Sequence, residues 1–146
     1  MGTIDAGAGS SNYTHAGPSG VLSPVVWRIV SAVALLAMGG IHLYLVFDGV
    51  GGTLGVLFVL NAIGGLVLAI AMLAAPRRFL LPAGVLSLLF MVGTLLALVL
   101  ALTVGLFGIT ETLGFTLVPT TLVVESIGTI VLAVTTALAL RLQRTH

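Results

Sequence analysis

The chain has 146 residues, 59% of them hydrophobic and only 6% charged, with a net charge of +1 and no cysteine. A soluble domain carries about 25% charged residues, so five arginines and four acidic residues cannot cover the surface of a soluble enzyme or fill out a disordered tail protein. The charge balance offers no basic patch for a phosphate backbone, and the lack of cysteine excludes disulfides, thiolate metal sites and thiol redox chemistry.

In chain order, residues 1–24 are Gly-, Ser-, Ala- and Thr-rich without periodicity and read as a flexible tail. A spanning helix needs about 20 apolar residues, and four such runs follow: 25–47, 54–75, 80–107 and 120–140. The first has no basic region before it and is too long for a signal-peptide core, so it reads as a retained anchor. Pro76 and Pro119 mark helix edges, because proline lacks the N–H that a helix interior needs. The expected fold class is all-α: an integral membrane bundle of four transmembrane helices. Barrel strands would alternate over about ten residues, and these runs do not.

All five arginines fall on one side of that topology. Arg28 begins the first span, Arg77 and Arg78 link the second to the third, and Arg141 and Arg144 follow the fourth. Asp48 and Glu111 occupy the two opposite loops. The positive-inside rule then puts both termini in the cytoplasm and the acidic loops outside.

Helices in a bilayer associate through small residues and a few hydrogen bonds. The first span carries Leu35, Gly39 and His42 along one face. The second carries Gly65 and Ala69, with Asn61 one turn earlier. The third carries Gly93, Ala97, Ala101 and Gly105 at four-residue spacing, and the fourth carries Thr121, Glu125, Gly128, Thr129 and Leu132. These stripes are expected to face inward, and their reading is packing.

Ionisable groups inside a span are costly and usually face the bundle with a partner. His42 lies six residues before Asp48, and Glu125 six residues after Pro119. At 1.5 Å per residue both are about 9 Å below the outer boundary. Asn61 comes to a similar depth from the second span, and Thr103 lies near the outer end of the third. His42, Asn61, Thr103 and Glu125 are therefore the expected buried polar cluster, with His42 facing Glu125 and Asn61 within hydrogen-bond reach of one of them.

Four readings of the cluster stand: a hydrogen-bonded set that fixes helix register, a proton-handling or small-ligand pocket, a metal site, and a haem or quinone site. One histidine and one carboxylate are few ligands for zinc or iron. His15 and His146 sit in the chain ends, away from a second haem position. No cofactor or metal is expected. No nucleophile with a base and an orienting group can be assembled, which weighs against an enzyme.

Gly40-Ile41-His42-Leu43-Tyr44-Leu45 resembles the end of the first helix in a group of small four-helix membrane proteins from actinobacteria. Gly52-Thr53-Leu54-Gly55 with Leu57-Phe58 and Leu60-Asn61 resembles its second helix, Gly105-Leu106-Phe107-Gly108 with Glu111 its third-helix exit, and Val123-Val124-Glu125 its fourth helix. The resemblance spans nearly everything after the tail and implies a four-helix membrane fold and no activity. The chain departs from that group at Asp48-Gly49-Val50-Gly51-Gly52, where the group carries an aromatic, a basic residue and a proline.

The functional expectation is a non-enzymatic accessory or binding subunit in the cell membrane. Its partners would be the lipid bilayer and a larger membrane complex or a second copy of itself, with no nucleic acid. The alternative is a proton-linked carrier or channel for a small solute.

Overall fold

In the computed structural model, which describes residues 23–105, 110, 112–114 and 117–144, the chain is built from four helices. They are α1 (Pro24–Phe47), α2 (Gly52–Ala74), α3 (Arg77–Thr103) and α4 (Val118–Arg144). Each is long and apolar enough to cross a membrane. Even α2, with 23 residues, reaches about 34 Å against the ~30 Å of a hydrocarbon core.

The helix ends follow from local chemistry. Pro24 starts α1, where its missing N–H costs nothing. The Asp48 N–H closes the helix on Tyr44 O at 2.9 Å, and the chain turns away through Gly49 at φ +105°. α3 begins three residues before the expected Leu80, so Pro82 falls inside the helix. α3 also stops at Thr103, four residues short of the expected Phe107. There the Gly105 N–H turns back to Leu100 O at 2.9 Å, with φ +83° at Gly105. α4 runs on to Arg144 and carries Arg141 and Arg144 in its last turn, where cations meet the negative helix end.

The end of α2 is capped from outside. Pro76 has no N–H to offer the Met72 carbonyl. Arg28 of α1 supplies one instead: its Nε donates to Met72 O at 2.8 Å, and its Nη2 donates to Leu73 O at 2.8 Å and Ala75 O at 2.7 Å. The planar guanidinium thus satisfies carbonyls that the helix terminus leaves open and ties the α1 start to the α2 end. Arg28→Ala is expected to cost about 2 kcal/mol, since bonds to a charged donor are among the stronger ones. Arg28→Lys should recover less than half of that, because an ammonium lacks the fork. Thermal melting of the three proteins in one detergent checks both expectations.

Residue pairing fixes the arrangement. Gly39 lies against Ala62, and Gly65 lies against Leu35. Ser31 meets Thr135, and Gly128 touches Met91. Gly84 lies on Thr136, and Gly64 lies under the Phe90 ring. Along α1–α2 and α3–α4 one number rises as the other falls, and Ser31 opposite Thr135 with His42 opposite Glu125 shows the same for α1–α4, so these neighbours run antiparallel. α1 packs most closely on α2, and α3 and α1 both pack on α4; α2 and α3 share the thinnest seam. The four helices form a ring in the order α1, α2, α3, α4. All five arginines gather at one end of it and Asp48 at the other.

Fully buried Leu35, Met38, Met72, Met91 and Leu132 form the core. Val56, Leu89, Leu96, Ile127 and Ile130 stand on the outside, each more than half exposed. Water does not cover such faces in a monomeric soluble protein.

The stripes of α1, α2 and α4 face inward: Leu35, Gly39, His42, Gly65, Ala69, Thr121, Glu125, Gly128 and Leu132 are all buried. The α3 stripe does not. Gly93 is exposed, and only Ala101 of the four is buried. A strict four-residue row drifts about 40° per step on a helix of 3.6 residues per turn, so Gly93 and Gly105 cannot share a face. The face that α3 turns inward runs through Leu80, Gly84, Ser87 and Met91, in steps of four, three and four, with Ala83 beside it.

A polar cluster in the outer half of the bundle

Two polar layers cross the interior. The one nearer the arginine end is made of hydroxyls. Thr135 Oγ1 donates to Val131 O at 2.9 Å, so Ser31 must donate to Thr135 Oγ1 across the 2.9 Å between their hydroxyls. Ser87 and Thr136 place further buried hydroxyls nearby without a partner. Leu35, Met38, Met91 and Leu132 then form a dry layer. Beyond it, toward Asp48, lies the second polar layer.

That layer is built on His42 and Glu125. His42 is 7% exposed and Glu125 is 0% exposed. His42 Nε2 stands 4.0 Å from Glu125 Oε1, too far for a direct hydrogen bond. The imidazole is held from two sides. Its Nδ1 is 2.9 Å from Met38 O, and because a carbonyl only accepts, Nδ1 carries a hydrogen. Its ring meets Phe58 edge-on at 4.9 Å between centroids and 80° between planes. The Met38 carbonyl therefore fixes the tautomer, and Nε2 is the nitrogen turned toward Glu125.

Neither Glu125 carboxyl oxygen has a hydrogen-bond partner. Thr94 of α3 borders the carboxyl, but its hydroxyl donates to Met91 O at 2.8 Å, within its own helix. A lone charge in an apolar interior costs several kcal/mol. The pair is neutral as a unit when it holds one shared proton, either on the carboxyl facing Nε2 or on Nε2 facing the carboxylate.

The remaining candidate residues are placed as follows. Asn61 is half-buried in α2, and it makes no hydrogen bond to His42 or Glu125. Thr103 is exposed in the last turn of α3, and its hydroxyl donates to Val99 O at 2.8 Å. It stands apart from the cluster, because α3 ends at Thr103 and the level of Glu125 falls nine residues earlier. Thr94 takes that place. Counting back from the true end of α3 was the signal for it; the apolar run itself does not show where the helix stops. Asp48 is exposed and caps α1. Glu111, His15 and His146 lie outside the described residues.

Among the described residues, no group of three or more His, Cys, Asp or Glu converges as a metal site. The pair offers hydrogen-bond acceptors and one movable proton, in an apolar surround. No protein-family model, curated protein or solved structure matches the chain.

Proposed function

We propose that the protein is a small integral membrane protein acting as a non-enzymatic accessory or binding subunit, with both termini in the cytoplasm. The observation that carries the reading is the exposed apolar surface. Large aliphatic side chains cover the outer faces of all four helices from end to end. Only lipid or a partner's helices can cover such faces. α2 and α3 bury the least of themselves inside the bundle, so they offer the widest face to either. The likeness to the small actinobacterial four-helix proteins belongs to the same proposal.

Sidedness rests on the gathering of Arg28, Arg77, Arg78, Arg141 and Arg144 at one end. A reporter that works only in the cytoplasm, fused in turn to each terminus, is expected to be active at both. A silent fusion in expressed protein would reverse the topology.

Mild-detergent extraction from the native membrane, followed by pull-down and mass spectrometry, tests the functional reading. Recovery of a larger membrane complex in fixed ratio is expected. The carrier reading has one observation in its favour, the buried and unpartnered oxygens of Glu125. Against it stands the dry layer of Leu35, Met38, Met91 and Leu132 between the two polar layers. Proton or solute flux in liposomes that disappears in Glu125→Gln would replace the subunit reading with the carrier.

A further inference from the structure

The guanidinium of Arg28 is engaged inside the fold, on the carbonyls at the end of α2. The other four arginines are not. Arg77, Arg78, Arg141 and Arg144 are exposed at the same end of the bundle. None of their guanidiniums has a hydrogen-bond or ion-pair partner among the described residues. The described acidic residues, Asp48 and Glu125, lie toward the opposite end.

The register of α3 against α4 brings the four together. Gly84 lies on Thr136, and Met91 lies on Gly128. Continued to the helix ends, the same antiparallel register sets Arg77 and Arg78 level with the stretch from Arg141 to Arg144. Arg77 precedes Gly84 by about two turns and Arg144 follows Thr136 by about two, so both stay near the line where the helices meet. Arg141 and Arg144 are three residues apart and neighbours on the surface of α4. The Arg78 guanidinium lies over the Phe79 ring, 4.8 Å from its centroid. A guanidinium stacked in this way keeps the N–H donors on its edge available.

Four like charges gathered at one end repel one another. α4 relieves its own pair, because a helix C-terminus attracts cations. α3 does the opposite. Arg77 and Arg78 stand in its first turn, where the helix dipole disfavours a cation, and no acidic residue shares that turn. The positive-inside rule accounts for the side on which arginines stay, but not for what neutralises them in the folded bundle. An anion does so, and the fork of a guanidinium matches phosphate oxygens two at a time. Farther into the bundle from the four charges, α3 exposes Val85, Leu86 and Leu89 and α4 exposes Leu140. A phosphate with acyl chains attached meets both the charges and these faces, whereas a free phosphate meets only the charges.

We propose that the arginine end of the α3–α4 pair binds the headgroup of an anionic phospholipid that carries two phosphates. Arg77 and Arg78 hold one phosphate and Arg141 and Arg144 the other, and the acyl chains run along the exposed apolar faces of the two helices. The count of phosphates follows from charge. A phosphodiester bears one negative charge, so a single one leaves most of four guanidiniums uncompensated, and two supply one anion for each pair.

This inference rests on the reading of the chain as membrane-embedded. Its test uses the purified full chain in an uncharged detergent, so it depends neither on sidedness nor on the larger complex sought above. Cardiolipin, phosphatidylglycerol, phosphatidylcholine and inorganic phosphate are titrated in turn while thermal unfolding is followed. They supply two phosphates on a lipid, one on an anionic lipid, one neutralised by a choline, and phosphate without chains. A saturable upward shift is expected at the lowest concentration with cardiolipin, then with phosphatidylglycerol, and none with the other two. Arg77→Gln with Arg78→Gln, and separately Arg141→Gln with Arg144→Gln, should each weaken cardiolipin about 30-fold, at about 1 kcal/mol per arginine near a charged lipid surface. All four positions are exposed, so lipid-free melting of both variants should stay near that of the parent. Arg28 is left in place throughout, since it holds the end of α2. Raising the salt from about 0.05 to about 0.5 M should weaken binding, because exposed charges are screened. Equal affinity for cardiolipin and any of the other three ligands, or undiminished cardiolipin binding in either paired variant, would overturn the proposal.

Discussion

Gly65→Val is expected to lower the stability of the bundle by about 3 kcal/mol, at the upper end for overpacking. A Cβ at position 65 would stand 2.9 Å from the Leu35 carbonyl oxygen and 3.6 Å from Gly39 Cα. Both are backbone atoms of α1, so no side chain can swing aside, and the helices must move apart along their most extensive contact. Gly64 makes the useful contrast. Its Cβ would meet the end of the Phe90 ring at 2.8 Å, and a ring can turn. Gly93→Val is the control, since that position faces open space. The expected order of melting temperatures in one detergent is Gly93→Val near the parent, Gly64→Val intermediate and Gly65→Val lowest. Equal melting of the Gly65 and Gly93 variants would show that α1 and α2 do not touch as closely as these distances state.

The difference between Gly65 and Gly93 also shows what could be read from the chain alone. Four helices were legible from run length and from Pro76 and Pro119, because helix formation in an apolar segment is dictated by backbone hydrogen bonding. The level at which His42 and Glu125 meet was legible too, since each lies a fixed number of residues from a loop and adjacent helices run antiparallel. Which glycine lies at a contact was not. Gly65 and Gly93 look alike in sequence, and only the rotation of each helix about its axis tells them apart.

Arg28 was legible as a marker of sidedness and hidden as a cap. The clue was the missing N–H of Pro76, but the link needs the knowledge that α1 starts where α2 ends. Thr94 was hidden behind Thr103 because the end of α3 is set by Gly105 at φ +83°, inside an otherwise continuous apolar run. Asn61 lies in α2 half-buried, with no hydrogen bond to His42 or Glu125. Depth follows from counting residues, whereas facing depends on which neighbour a helix packs against.

His42 and Glu125 should be energetically coupled, and a double-mutant cycle is expected to show it. Glu125→Leu removes the acidic group that faces Nε2 and leaves the imidazole in an apolar interior. That orphaned group should cost about 1–3 kcal/mol. His42→Leu leaves the carboxyl with neither of its oxygens partnered, which is the costlier half, since breaking a buried pair from one side runs to about 3–5 kcal/mol. Glu125→Gln should be milder than Glu125→Leu. The Met38 carbonyl holds the Nδ1 hydrogen at 2.9 Å, so Nε2 needs a donor, and the glutamine amide N–H can supply one. The double variant His42→Leu with Glu125→Leu should recover part of the combined loss, because two apolar side chains of similar volume need no partner. The Phe58 ring, now edge-on to His42, would pack against leucine instead. Melting of the four proteins in the same detergent decides the matter. A coupling of about 1 kcal/mol or more establishes the pair, since contacting residues depart from additivity by that much. Strictly additive losses would mean that the 4.0 Å between Nε2 and Oε1 carries no interaction, and the two groups would then be separate features of α1 and α4.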